Sequence, residues 1–172
     1  MFAVLFENDN VGVPLDVYWG VTVRFEPVSY EGVTGSPSMT CEWIPWDART
    51  WRDLDGKSLS CRYGERDIEA SFYFVAHDTG ETTDIDLRAI NGQEFDVTMS
   101  MVVDFPGLTG EDANPEMLVT ARTTLPFEGV WFRAGSGSDE KIKSIAGRFL
   151  DLDDFRMSKE ANGAVLFKPA ID

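Results

Sequence analysis

Residues 41 to 53 read CEWIPWDARTWRD and set three of the chain's five tryptophans beside two arginines. Two chemistries fit such a stretch. Trp46 and Trp51 can stack a planar or sugar-like group while Arg49 and Arg52 offer fork-shaped donors to a carboxylate, making the four a candidate mouth for a small molecule. Large aromatics also close the open end of a β core, and that packing role is the commoner one, so a lid over the interior is the favoured expectation. Trp43 alternates with Met39 and Cys41 and is expected in the core. Pro45 interrupts the strand that carries it, because proline supplies no ladder donor.

His77 is the only histidine. It opens HDTGE, an expected loop between two strands, where Asp78 and Glu81 are near enough in sequence to assist a general base. A lone histidine in an acidic hairpin loop is ordinarily just a loop residue, so catalysis is not the expectation. Cys41 and Cys61 both fall on the apolar side of alternating segments and are expected as small buried hydrophobes. Oxidation could join them only if their strands bring them face to face. Two cysteines and one histidine, with no close pair among them, cannot build an ordinary structural zinc site, and no metal or cofactor is expected.

Several apparent motifs dissolve on inspection. LDGKS at 54 to 58 ends like a phosphate-binding loop, but Trp51 stands where the leading glycine belongs and the following SLSCRY alternates like a strand. AGSGSDE precedes a helix, yet Asp139 and Glu140 would repel a phosphate at its N-terminus. DLDG and DIDLRAING begin like calcium loops and lack the later ligands in register.

The formal charge of -15, from 30 acidic against 15 basic residues, disfavours nucleic acid and anionic membrane surfaces and steers in basic partners. The strand-face acids Asp84, Asp86 and Asp96 are the candidate partner surface, in the manner of an inhibitor or antidote that covers a basic active site. No basic region precedes the short apolar run at the N-terminus, and nothing approaches the length of a membrane span, so a cytoplasmic protein with reduced thiols is expected. Three functions are expected, in order of preference: a non-enzymatic interaction protein that captures a basic protein partner, a small-molecule-binding barrel with its Trp/Arg mouth at 43 to 52, and an enzyme centred on His77.

The elements that must position these residues are strands. Val17, Trp19, Val21, Val23 and Phe25 alternate with polar or small residues, and Phe95, Val97, Met99, Met101, Val103 and Phe105 do the same over QEFDVTMSMVVDF; a helix could not gather either set on one side. Further strands are expected around 2 to 6, 38 to 44, 57 to 63, 68 to 76, 83 to 90, 117 to 125 and 127 to 134, with a closing hairpin from LDLDDFRM and AVLFKPAI. Face parity suggests a three-residue loop, Ile90-Asn91-Gly92, setting Leu87 opposite Phe95, Ile85 opposite Val97 and Asp86 opposite Asp96. DEKIKSIAGRFL has helical spacing and predicts a helix over about 139 to 149, capped by Ser136 or Ser138. Tyr18, Tyr73, Val75, Val102, Leu118, Val130 and Phe132 fall on the opposite parity to the main apolar rows, so the helix or a second subunit should cover part of that face; a homodimer is the expected form. The fold class is therefore mainly β: one domain over 1 to 172, an antiparallel β-sandwich or flattened β-barrel with one C-terminal α-helix.

Overall fold

The computed structural model describes residues 1–10, 12–30, 32–65, 67–74, 76–104 and 116–171. Val75 and Phe105, which the alternation placed on an outer and an inner face, lie outside the described residues. The fold is mainly β. The first half carries β1 (Phe2–Asn8), β2 (Val13–Arg24), a small hairpin of β3 (Val28–Tyr30) and β4 (Val33–Gly35), β5 (Ser38–Ile44), β6 (Ser58–Arg62) and β7 (Glu69–Phe74). The second half carries β8 (Ala76–Asn91), β9 (Glu94–Asp104), β10 (Glu116–Pro126), β11 (Val130–Phe132), the helix α1 (Asp139–Ala146), β12 (Phe155–Lys159) and β13 (Val165–Pro169).

Apart from the β3–β4 hairpin, these strands make one eleven-stranded sheet in the order β10, β9, β8, β7, β5, β2, β1, β11, β13, β12, with β6 also paired to β8. Every pairing is antiparallel except β1 with β11, which run parallel with Ala3 opposite Val130 and Leu5 opposite Phe132. The long strand β8 belongs to both wings of this sheet. Its first residues pair β7, from Gly80 onward it pairs β9, and over Thr82–Asp86 it also pairs β6. The register slips between Gly80 and Thr82, the kind of bend by which a strand passes from one layer to the next. A Cβ on Gly80 would lie 2.8 Å from the Cγ and Sδ of Met101, so a larger residue there must displace that fully buried side chain.

The wings face each other across one core, into which the alternating rows of β2 and β9 both project. Trp19 is 1% exposed and Phe95, Val97, Met99 and Met101 are fully buried, and the Trp19 ring meets Phe127, just beyond β10, with centroids 5.6 Å apart. Cys41 on β5 and Cys61 on β6 also meet across this core, through a thiol–thiol hydrogen bond. Burial, followed by the neighbouring Cys61, pushes the Cys41 thiol up to about 12, so it remains protonated and a poor nucleophile.

Four expectations need correction. The β8–β9 loop is two residues, Gly92-Gln93, with Asn91 opposite Glu94 and Gly92 at φ 52°. A bulge between Ala89 and Asn91 restores the parity that a two-residue loop would otherwise break, so Leu87 pairs with Val97, Ile85 with Met99, and Asp86 with Thr98 in place of Asp96. A second bulge, where β2 steps from Trp19 to Val21 while β5 steps back from Ile44 to Cys41, turns Trp43 out of the core and gives its inward position to the fully buried Ile44. Val130 and Phe132 are core residues, because the parallel pairing sets them beside the buried Ala3 and Leu5. Finally, α1 is capped by Ser138 and ends at Ala146 with Gly147 as its C-cap; residues 148 and 149 tighten into i to i+3 bonds on Ile145 and Ala146. Ile142 and Ala146 bury α1 against the core.

Candidate functional site

The tryptophan-rich corner is built as a closed structural unit. Thr50 caps a 3₁₀ turn at Trp51–Leu54, with the Asp53 carboxylate accepting from the backbone N–H groups of Arg49 at 2.9 Å and Thr50 at 3.1 Å. This turn drives Trp51 and Leu54 inward, to 3% and 0% exposure. The Arg52 guanidinium covers the Trp51 ring at 4.3 Å and pairs with Asp154, Nε to Oδ1 2.9 Å. That bond is the first cause holding the Asp154 carboxyl below the usual range, with a second from Thr50. Arg49 crosses to the end of α1, donating to the carbonyls of Arg148 at 3.1 Å and Gly147 at 3.3 Å, where helical carbonyls lack partners of their own. Trp46 is half-buried, and its Nε1 donates to the Ser58 carbonyl at 3.2 Å. Trp46 and Arg49 line a recess of about 280 Å³, while Trp51 has almost no surface to offer a ligand.

The other sequence candidates disperse. His77 lies within β8, not in a loop, opposite Tyr73 with the rings 4.9 Å apart. Its neighbour Asp78 points the other way into the interior at 6% exposure, while Glu81 is exposed beyond the Gly80 bend. Strand alternation thus separates His77 from Asp78. Asp84 and Asp86 are exposed on β8, but the acidic strip they were expected to form with Asp96 is interleaved with cations. Asp96 sits opposite Arg88 and is bound by Arg122 at 2.6 Å, and this hydrogen bond keeps its carboxyl below the usual range.

A different set of residues converges on the outer face of β1, β2 and β5. Phe6, Tyr18 and Trp43 form an aromatic cluster, with the Trp43 ring 5.4 Å from each of the other two. The alternation of β1 and β2 puts Phe6 and Tyr18 on this face, and the β5 bulge adds Trp43. Together with Val13, Pro14 and Pro45 they line a groove of about 640 Å³ whose charged walls are Asp16, Asp67 and Glu69. Among the described residues no basic side chain lines it. Glu42 stands directly opposite Glu69 across the β5–β7 pair; burial, and then the Glu69 charge, raise its carboxyl above the usual range. Burial also raises the Tyr18 phenol, with Asp16 and Asp67 adding to it. Among the described residues no three His, Cys, Asp or Glu side chains converge closely enough to hold a metal ion, so these carboxylates surround the groove and do not meet at a point.

Backbone strain marks the same place. Among the described residues only two non-glycine positions have positive φ, Trp43 at 61° and Asp67 at 57°, and both line the groove. A left-handed backbone costs an ordinary L-residue about 1–2 kcal/mol, less for Asp, and is most unusual for a bulky side chain. Such outliers gather at functional sites, where surrounding structure sustains them.

Sequence reasoning put Tyr18 on the outer face but missed the groove, because Trp43 reaches it only through a bulge. Phe6 and Tyr18 on outward positions of successive strands were the available signal. No helix among the described residues is long and apolar enough to cross a membrane. Neither a scan against protein-family models nor searches of curated proteins and of solved structures find a match to this chain.

Proposed function

We propose that this is a non-enzymatic interaction protein that captures a positively charged partner, covering a basic surface as an inhibitor or antidote does. The observation that carries the reading is the gathering of Asp16, Glu42, Asp67 and Glu69 on one outer face, with no ion pair to any of them among the described residues. Like charges held together in this way repel, and a cationic partner relieves that repulsion. The net charge of -15 steers such a partner from a distance and turns away nucleic acid and anionic lipid. Adjacent thiols kept reduced suit the cytoplasm as its place of action. Capture of lysate proteins on the immobilised full chain, at low and at moderate ionic strength, tests the reading. Basic proteins should be retained at low salt and released at moderate salt, because screening shortens the reach of exposed charges. Retention of acidic or neutral proteins without regard to salt contradicts it.

A further inference from the structure

The groove combines aromatic faces with acceptors, and this combination narrows the partner. Resting on the reading above, we propose that the groove bounded by Phe6, Tyr18 and Trp43 is the docking site for an arginine side chain presented by a basic protein segment. In this arrangement the guanidinium stacks on the Trp43 ring, and Asp67 and Glu69 accept its N–H groups.

Three observations converge on that occupant. The ring faces of half-buried Tyr18 and Trp43 attract a cation through the ring quadrupole. Exposed Asp67 and Glu69 supply the carboxylates on the same wall, and among the described residues no lining side chain competes as an internal cation. A guanidinium suits both at once: it is planar, weakly hydrated, stacks on aromatics and presents paired donors to carboxylates, whereas an ammonium is a compact and strongly hydrated point charge. The groove's length of wall, from Phe6 and Asn8 on β1 to Glu69 on β7, and its volume of about 640 Å³ leave space beside the guanidinium for flanking backbone, which favours a protein segment over a small free cation. The left-handed backbone at Trp43 and Asp67 sets the stacking ring and one acceptor at the same opening.

Glycine-flanked di-arginine, di-lysine and di-citrulline peptides, titrated into the full chain at low salt, provide the test. The di-arginine peptide should bind, the di-lysine peptide more weakly, and the uncharged citrulline peptide not at all. Two double variants remove equal charge: Asp67→Asn with Glu69→Gln in the groove, and Asp84→Asn with Asp86→Asn remote from it. The groove pair should lower di-arginine affinity at least about tenfold, as expected for losing charge-assisted hydrogen bonds, and the remote pair less than about twofold. Asn tolerates the left-handed conformation at position 67, so the fold should persist; Trp43→Gly, also expected to bind at least about tenfold more weakly through the loss of stacking, removes the ring by an independent route. Equal losses in both double variants, or undiminished binding in Trp43→Gly, overturn the groove while leaving a charge-driven interaction protein standing. Absence of any salt-sensitive capture of basic proteins overturns the broader reading. Tighter binding of tetramethylammonium than of the di-arginine peptide contradicts a protein-borne arginine as the occupant.

Discussion

Two tryptophan-bearing regions lie side by side in this molecule, sharing Asp16 and Pro45 in their walls, and they treat their charged side chains in opposite ways. In the corner at 46 to 54, Arg49 ends on the carbonyls of α1 and Arg52 on Asp154, while Trp51 is sealed inside. In the groove, the carboxylates of Asp16, Asp67 and Glu69 have no cation among the described lining residues, Asp16 accepting from the Val17 N–H at 2.7 Å, and the backbone is held left-handed at two of the wall positions. Aromatic and charged residues therefore do not identify a binding site by type. In the corner both arginines find partners within the chain, although among the described residues the buried Trp51 Nε1 does not; in the groove the described residues offer the carboxylates no cation.

The largest expected effect lies in the corner. Trp51→Ala should remove about 3–5 kcal/mol of stability, the usual cost of truncating a buried tryptophan, measured by chemical denaturation. A loss below about 1 kcal/mol would mean that Trp51 is not a packing residue and would reopen the corner as a ligand mouth. Arg49→Ala should cost about 1–2 kcal/mol, because it strips donors from the C-terminal carbonyls of α1, and should leave the capture of cationic partners unchanged. Trp43→Gly should move stability by less than about 1 kcal/mol in either direction: release of left-handed strain offsets the loss of half-buried ring contacts. A loss comparable to that of Trp51→Ala would make Trp43 a structural residue and erase the contrast between the regions.

The smallest effect separates the regions by pH. Burial and Glu69 raise the folded-state pKa of Glu42, so folding favours its protonated form. Its contribution to stability is fully present below the ordinary glutamate range and is lost as pH rises through the raised value. Asp154 has the opposite sign: the Arg52 and Thr50 bonds lower its folded pKa, so its contribution is present above the ordinary aspartate range and is lost as pH falls through the lowered value, with solvent screening keeping it small. Melting temperature against pH should show Glu42→Gln more stable than the parent at neutral pH, with the two converging in acid. A Glu42→Gln variant that is less stable than the parent at neutral pH would contradict this account.

The strands were legible because burial on one face forces alternation, and Val17 to Val23 and Phe95 to Val103 keep that alternation without a break. Bulges are where sequence reading failed. One extra residue near Ile90 and another beside Trp43 reverse the face of the residues beyond them; the first contains no glycine or proline, and at the second the glycine is Gly20 on the facing strand β2. Parity also failed at Val130 and Phe132, because a parallel pairing between distant segments, β1 and β11, leaves no local pattern. The groove was illegible for related reasons: its walls come from β1, β2, β5, β7 and the approach to β7, and its central ring is the one that the bulge displaces. The lid was better anticipated, since Trp51 and Leu54 lie on one short turn whose cap, Thr50 with Asp53, is a local signal.

The indole N–H resonances of the five tryptophans provide the most direct test of the contrast. On titration with the di-arginine peptide, nitrogen–proton correlation spectra should show the Trp43 signal shifting in proportion to binding, with the Trp46 and Trp51 signals holding their positions. Movement of Trp46 or Trp51 with a stationary Trp43 would place binding in the corner and contradict the account.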